Sequence, residues 1–133
     1  MKWKMQWNHT QILTIGNDGL YYLCTYIYLM RRPEIVERIK YAIKNIEPTA
    51  TTILYGSEAR GDARADSDID VLVLLEGESR DLKREDAISG ALYDIELSTG
   101  VLISPMIMLR RQWENRPFKT PFYINVMNEG ITL

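Results

Sequence analysis

The apolar pattern predicts an α/β (α+β) domain, a small β-sheet with helices packed on it. Two observations carry that expectation. Helical periodicity runs through Pro33–Ile46 and again through Asp81–Ser98, while Thr51–Tyr55, Ile69–Leu75 and Val101–Leu109 are short and β-prone. The resulting order is helix, strand, strand, helix, strand, helix, which suits one sheet covered by helices. With 133 residues, 46% apolar and 26% charged, the chain fits a single ordinary globular domain.

Each element has its own signals. In Pro33–Ile46 the residues Ile35, Val36, Ile39, Ala42, Ile43 and Ile46 share a helix face. Pro33 suits the first helical position, Glu34 and Glu37 suit the positive end of the dipole, and Pro48 stops the helix. Thr51–Tyr55 ends at Gly56. Ile69–Leu75 is almost continuously apolar, as expected for a strand buried on both faces. Ile88, Ala91, Leu92 and Ile95 line the second helix, with Gly100 as its stop. Pro105 predicts that Val101–Leu109 lies at an edge or carries a bulge. Thr120-Pro121 reads as cap and first-position proline of a last helix closing near Gly130.

Residues 1–30 form an N-terminal extension of a different character, and residues 31–133 form the domain. The apolar run Leu20–Met30 follows Lys2 and Lys4, but Asn17-Asp18 interrupts it and Arg31-Arg32-Pro33 stands where a signal-peptide cleavage site would be. It is also shorter than the roughly 18 residues that span a bilayer. Two readings stay open for it: an accessory strand packed on the domain, or translation upstream of a working protein that starts at Met30.

Composition excludes several chemistries. A net charge of −2 argues against DNA binding, which needs a basic face. A single cysteine, Cys24, excludes an intramolecular disulfide and suits a reducing, cytoplasmic setting. With one histidine, His9, the usual zinc sites and Cys/His or Ser/His/Asp catalytic pairs are excluded as well.

What remains is the segment from Ile53 to Val73, ILYGSEARGDARADSDIDVLV. On a strand, residues two apart point the same way, so Asp68 and Asp70 project from one face about 7 Å apart along the chain. Converging hard carboxylates suit one or two Mg²⁺ ions, which take oxygen ligands and share themselves with phosphate. A solvated strand entrance is the plainer alternative. Asp66, Asp68 and Asp70 also match the start of an EF-hand loop, but Val71 replaces its glycine and Gly77 its final glutamate. Upstream, Gly56 lets a phosphate approach the backbone and Ser57 offers a hydroxyl beside free N–H groups. Ser57 could equally be an ordinary helix cap. Arg60 would reach a phosphate from the same side, or else sit solvated on the surface. No Gly-Lys-Ser/Thr follows, so this is not a P-loop.

Taken together, GSEARGDARADSDIDVLV closely resembles the signature of the minimal nucleotidyltransferases of the DNA polymerase beta superfamily. Gly56, Ser57, Arg60, Gly61, Asp62, Arg64, Asp66, Ser67, Asp68, Asp70 and Val73 fall on that pattern. The resemblance implies the nucleotidyltransferase fold, a small mixed sheet with helices on it. It makes Asp68 and Asp70 the catalytic Mg²⁺ ligands, and gives the nucleotide's phosphates to Gly56 and Ser57 with Arg60 assisting. The implied reaction moves a nucleoside monophosphate, AMP from ATP in the first instance, to an acceptor hydroxyl. Two metal ions would serve the attacking and leaving oxygens.

The pattern breaks at one position. The family's third carboxylate belongs on the strand Val101–Leu109, where Ser104 stands instead. Asp94 and Glu96 lie nearby on the polar side of the preceding helix. The resemblance further implies a partner, since many minimal nucleotidyltransferases are antitoxins that act on a HEPN-domain toxin. A non-catalytic antitoxin that neutralises by contact, and a small-molecule enzyme of the aminoglycoside nucleotidyltransferase kind, are the alternatives. A homo-oligomer stays open. In WENRPFKTPFYINVM, Trp113, Phe118, Phe122 and Tyr123 form either a partner surface or the packing of the last helix.

Overall fold

A computed structural model describes residues 30–133. Residues 1–29 of the N-terminal extension, and the open readings of it, therefore lie outside the described residues. Helix α1, Pro33–Ile46, has proline in its first turn and buries Ile35, Val36, Ile39 and Ile43 along one stripe. Strand β1, Thr51–Tyr55, runs directly into a single helical turn, α2, Gly56–Arg60. Strand β2, Ile69–Leu75, returns antiparallel to β1 with Tyr55 opposite Asp70 and Leu54 opposite Val71. Helix α3, Leu82–Thr99, is capped by Asp81, whose carboxylate accepts the Lys83 and Arg84 N–H groups, and stops at Gly100 in the left-handed region. It carries the chain over to β3, Ile103–Leu109, which lies parallel to β2, as a crossover connection requires.

Two short helices follow, the first without a mark in the sequence and the second where Thr120-Pro121 and Gly130 predict it. Helix α4, Arg110–Glu114, continues straight from β3, and helix α5, Pro121–Glu129, begins at Thr120, whose hydroxyl accepts the Tyr123 N–H. After Gly130 the chain adds β4, Ile131–Thr132, antiparallel to β1. The sheet order is β3-β2-β1-β4. Pro105 sits on an edge strand, where its missing N–H leaves no gap in the ladder.

Strand alternation divides the core. Leu54, Ile69, Val71, Val73 and Leu75 pack with α1 and α3, while Ile53, Leu72 and Leu74 pack with Trp113 of α4 and Val126 of α5. Strand β2 is therefore covered on both faces, as its unbroken apolar run requires. No helix among the described residues is long and apolar enough to cross a membrane.

Candidate active site

The site begins where β1 ends. Gly56 holds φ +72°, and a Cβ built on it would lie 2.4 Å from Asp70 Oδ2. Only glycine meets both conditions, a left-handed backbone and a carboxylate pressed against its Cα. Tyr55, still extended, occupies the cap position of α2 and gives it no side-chain cap. Ser57 is thus inside the turn, not its cap. Gly61, φ +80°, ends the turn, and the Asp62 N–H donates to the Ser57 carbonyl at 3.1 Å.

Asp70 stands opposite Tyr55 on one side and beside Ser104 on the other. Asp68, just ahead of β2, accepts a hydrogen bond from the Ser104 hydroxyl at 3.2 Å. Both acids therefore address the same end of the sheet. Burial pushes the Asp70 carboxyl up from the usual carboxylate range; Asp68 adds to that, Arg60 opposes it, and Glu129 adds again. Burial, and then the charge of Asp70, likewise raise Tyr55.

Ser104 occupies the place expected of a third acid, and neither neighbour replaces it. Asp94 is exposed, and the Glu96 carboxylate accepts the Ile103 N–H at 2.7 Å, where it anchors the start of β3. Among the described residues no three metal-ligating side chains gather. The protein's own oxygen donors here are two carboxylates and a hydroxyl.

Arg60 reaches two acids. Its Nε donates to Asp62 at 3.3 Å and its NH1 to Glu129 at 3.0 Å, contacts that raise its already high pKa, Glu129 more than Asp62. The second Glu129 oxygen accepts the Gly56 N–H at 3.2 Å. One carboxylate thus spans α2 from its first N–H to its last side chain. Sequence reading missed Glu129, which is 73 residues from Gly56 and lies at the end of an amphipathic helix with no local mark of function.

The family model for the nucleotidyltransferase domain matches residues 36–131, the span from α1 to β4. This chain belongs to the nucleotidyltransferase domain family. A Methanocaldococcus jannaschii protein named "putative protein adenylyltransferase" is 36% identical over 103 residues, which cover 74% of this nucleotidyltransferase and 97% of that relative. A solved structure from Sulfolobus solfataricus, titled as a putative nucleotidyltransferase, covers 88% of the chain and 86% of its own at 19% identity and a TM-score of 0.42. That superposition is too loose to add to the assignment.

The nucleotidyltransferase site fits Mg²⁺. Asp68 and Asp70 present hard oxygens at the same end of the sheet, with the Ser104 hydroxyl of β3 beside them. Mg²⁺ commonly takes one or two carboxylates and completes its shell with water and phosphate oxygens. The C-terminal aromatic residues mostly build the wall behind the site. Phe122 meets Tyr55 edge-on at 5.4 Å and Trp113 at 5.9 Å, and the Arg116 guanidinium stacks 4.3 Å from the Trp113 ring. Phe118, 76% exposed, is the exception.

Proposed function

We propose that this nucleotidyltransferase transfers AMP from ATP to a hydroxyl on a protein partner, with Mg²⁺ held by Asp68 and Asp70. The observation that carries the proposal is the contact of Asp70 with Gly56, which brings a metal-binding acid against the turn where a triphosphate would be gripped. The protein acceptor is favoured by the relative named as a protein adenylyltransferase.

In this reading Gly56 leaves room for close approach, and Ser57 offers its hydroxyl and N–H to phosphate oxygens. Arg60 adds positive charge at the end of the turn. The acceptor oxygen forms a bond to the α-phosphorus while the bond to the bridging oxygen breaks. Pyrophosphate leaves with that electron pair, and the acceptor's proton passes to solvent. Mg²⁺, when bound, would supply charge neutralisation at the transferring phosphoryl group. The chain's own task is positioning, which is consistent with a signature free of histidine and cysteine. A HEPN-domain toxin is the partner proposed from the family resemblance, with the pair working in the cytoplasm.

Ser104 favours a second reading. With one carboxylate fewer, the domain would bind nucleotide and partner without transferring anything. Both readings are tested by incubating the protein with α-labelled ATP, Mg²⁺ and the partner that co-purifies with it. Label on the partner that disappears in Asp70→Asn supports transfer, and a stable unlabelled complex supports the binding module. Absence of any thermal shift with millimolar MgATP would remove both.

A further inference from the structure

The buried charged residues among those described are Arg32 and Glu58, and the signature's chemistry uses neither. Glu58 is the central residue of α2 and is fully buried. Arg32 immediately precedes α1. One Glu58 oxygen accepts the Arg32 backbone N–H at 2.6 Å, and the other accepts Nε at 3.0 Å and NH2 at 2.8 Å. The remaining arm of the guanidinium, NH1, donates to the Ser67 carbonyl at 2.6 Å.

That last contact gives the pair its meaning. Ser67 is the residue before Asp68, and the residue after it, Ile69, donates its N–H to the Leu102 carbonyl at 2.9 Å. Asp68 is therefore pinned on both sides, by Arg32 in front and by the entrance to β3 behind. The same guanidinium holds α2, on which Ser57 and Arg60 ride. A planar fork with several fixed donors can hold two segments at one separation, which a lysine cannot do. A buried ion pair is weak evidence for stability, because desolvation offsets its attraction, so the three segments this pair ties together are the better guide to its role.

We infer that Arg32 and Glu58 are positioning residues that set the distance between the phosphate-gripping turn and the metal ligand Asp68. This rests on the reading that MgATP is gripped between those two places.

The test compares the full-length wild type with Arg32→Met/Glu58→Met and with Arg32→Lys, measuring melting and MgATP affinity by calorimetry. The double variant replaces both charges with apolar side chains of similar length, so neither charge is left buried without its partner. It also takes the partners from the Arg32 N–H and the Ser67 carbonyl, so it is expected to fold with a lowered melting temperature while binding MgATP at least tenfold more weakly. Arg32→Lys keeps the charge beside Glu58 but cannot also hold Ser67, and is expected to fold and to lose affinity as well. If either variant folds and binds MgATP within twofold of wild type, the pair is merely structural and the inference falls. A wild type that binds no MgATP takes down the substrate reading instead, and the clamp with it.

Discussion

Gly56 and Asp70 touch: the space a Cβ would need on the glycine is filled by the aspartate carboxylate, 2.4 Å away. Two adjacent strands thereby bring a backbone with no side chain against a half-buried acid.

Gly56→Ala therefore carries two penalties. An L side chain at φ +72° costs about 1–2 kcal/mol, and the new methyl group must displace Asp70. The variant should melt several degrees lower and lose the thermal shift with MgATP. If it folds and shows a normal shift, the close approach of Gly56 to Asp70 has no bearing on binding.

Asp70→Asn should stabilise the protein in the absence of metal. The folded-state pKa of Asp70 is raised by burial and by Asp68, so the folded state holds this proton more tightly than the unfolded chain does. Stability attributable to this group then falls as pH rises from its unfolded value through its raised folded value, and the penalty is complete above that. At pH 7.5 without divalent ions Asp70→Asn should melt higher than wild type, and at pH 3 the two should converge. With Mg²⁺ the order should reverse, since wild type gains a ligand that the variant holds poorly. Melting curves at both pH values, with and without Mg²⁺, decide the matter; a variant that melts lower than wild type at pH 7.5 without metal contradicts the assignment.

Most of the elements that build this site were legible because their signals are local. Pro33, Gly100 and Thr120-Pro121 mark helix ends through backbone chemistry within a residue or two. The unbroken apolar run of β2 announces burial on both faces. The acids and the Gly-Ser turn were legible as a motif. What stayed hidden depends on contacts between distant residues. Strand β4 is two residues long and exists by pairing with β1. Val101 and Leu102 read as strand, but the ladder starts at Ile103, after the Gly100 cap. Glu58 carries no local sign that it will be buried against Arg32, 26 positions earlier. Arg60 was expected to face a phosphate, and its acidic partner Glu129 could not be read from its neighbours.

Ser104→Asp asks whether the missing carboxylate limits the enzyme. Ser104 lies beside Asp70 in the parallel ladder and bonds Asp68, so an aspartate there would face both acids. Without metal, like-charge repulsion should lower the melting temperature. With Mg²⁺ a third hard ligand should tighten metal binding and raise the transfer rate by about tenfold or more, each tenfold corresponding to about 1.4 kcal/mol in the barrier. Titration of Mg²⁺ against pyrophosphate release measures both. Unchanged Mg²⁺ dependence would show that the serine site is already complete for its task.

Glu129→Gln tests the carboxylate that spans α2. In the protein as folded, Glu129 accepts from the Gly56 N–H and from Arg60, and its charge adds to the repulsion on Asp70. Replacing it with the neutral amide keeps one acceptor but removes a negative charge from the edge of a site proposed to take a triphosphate. Arg60, still held by Asp62, becomes available to phosphate oxygens. The lost ion pair is partly exposed, with Arg60 at 46%, so stability should fall by no more than about 1 kcal/mol. Affinity for MgATP should rise several-fold, and the rise should shrink with added salt, because the gain is electrostatic. Calorimetry at two ionic strengths measures it. Weaker binding in Glu129→Gln would mean that the carboxylate serves the nucleotide by holding Arg60 in place, and that the contact with Gly56 is part of the grip rather than an obstacle to it.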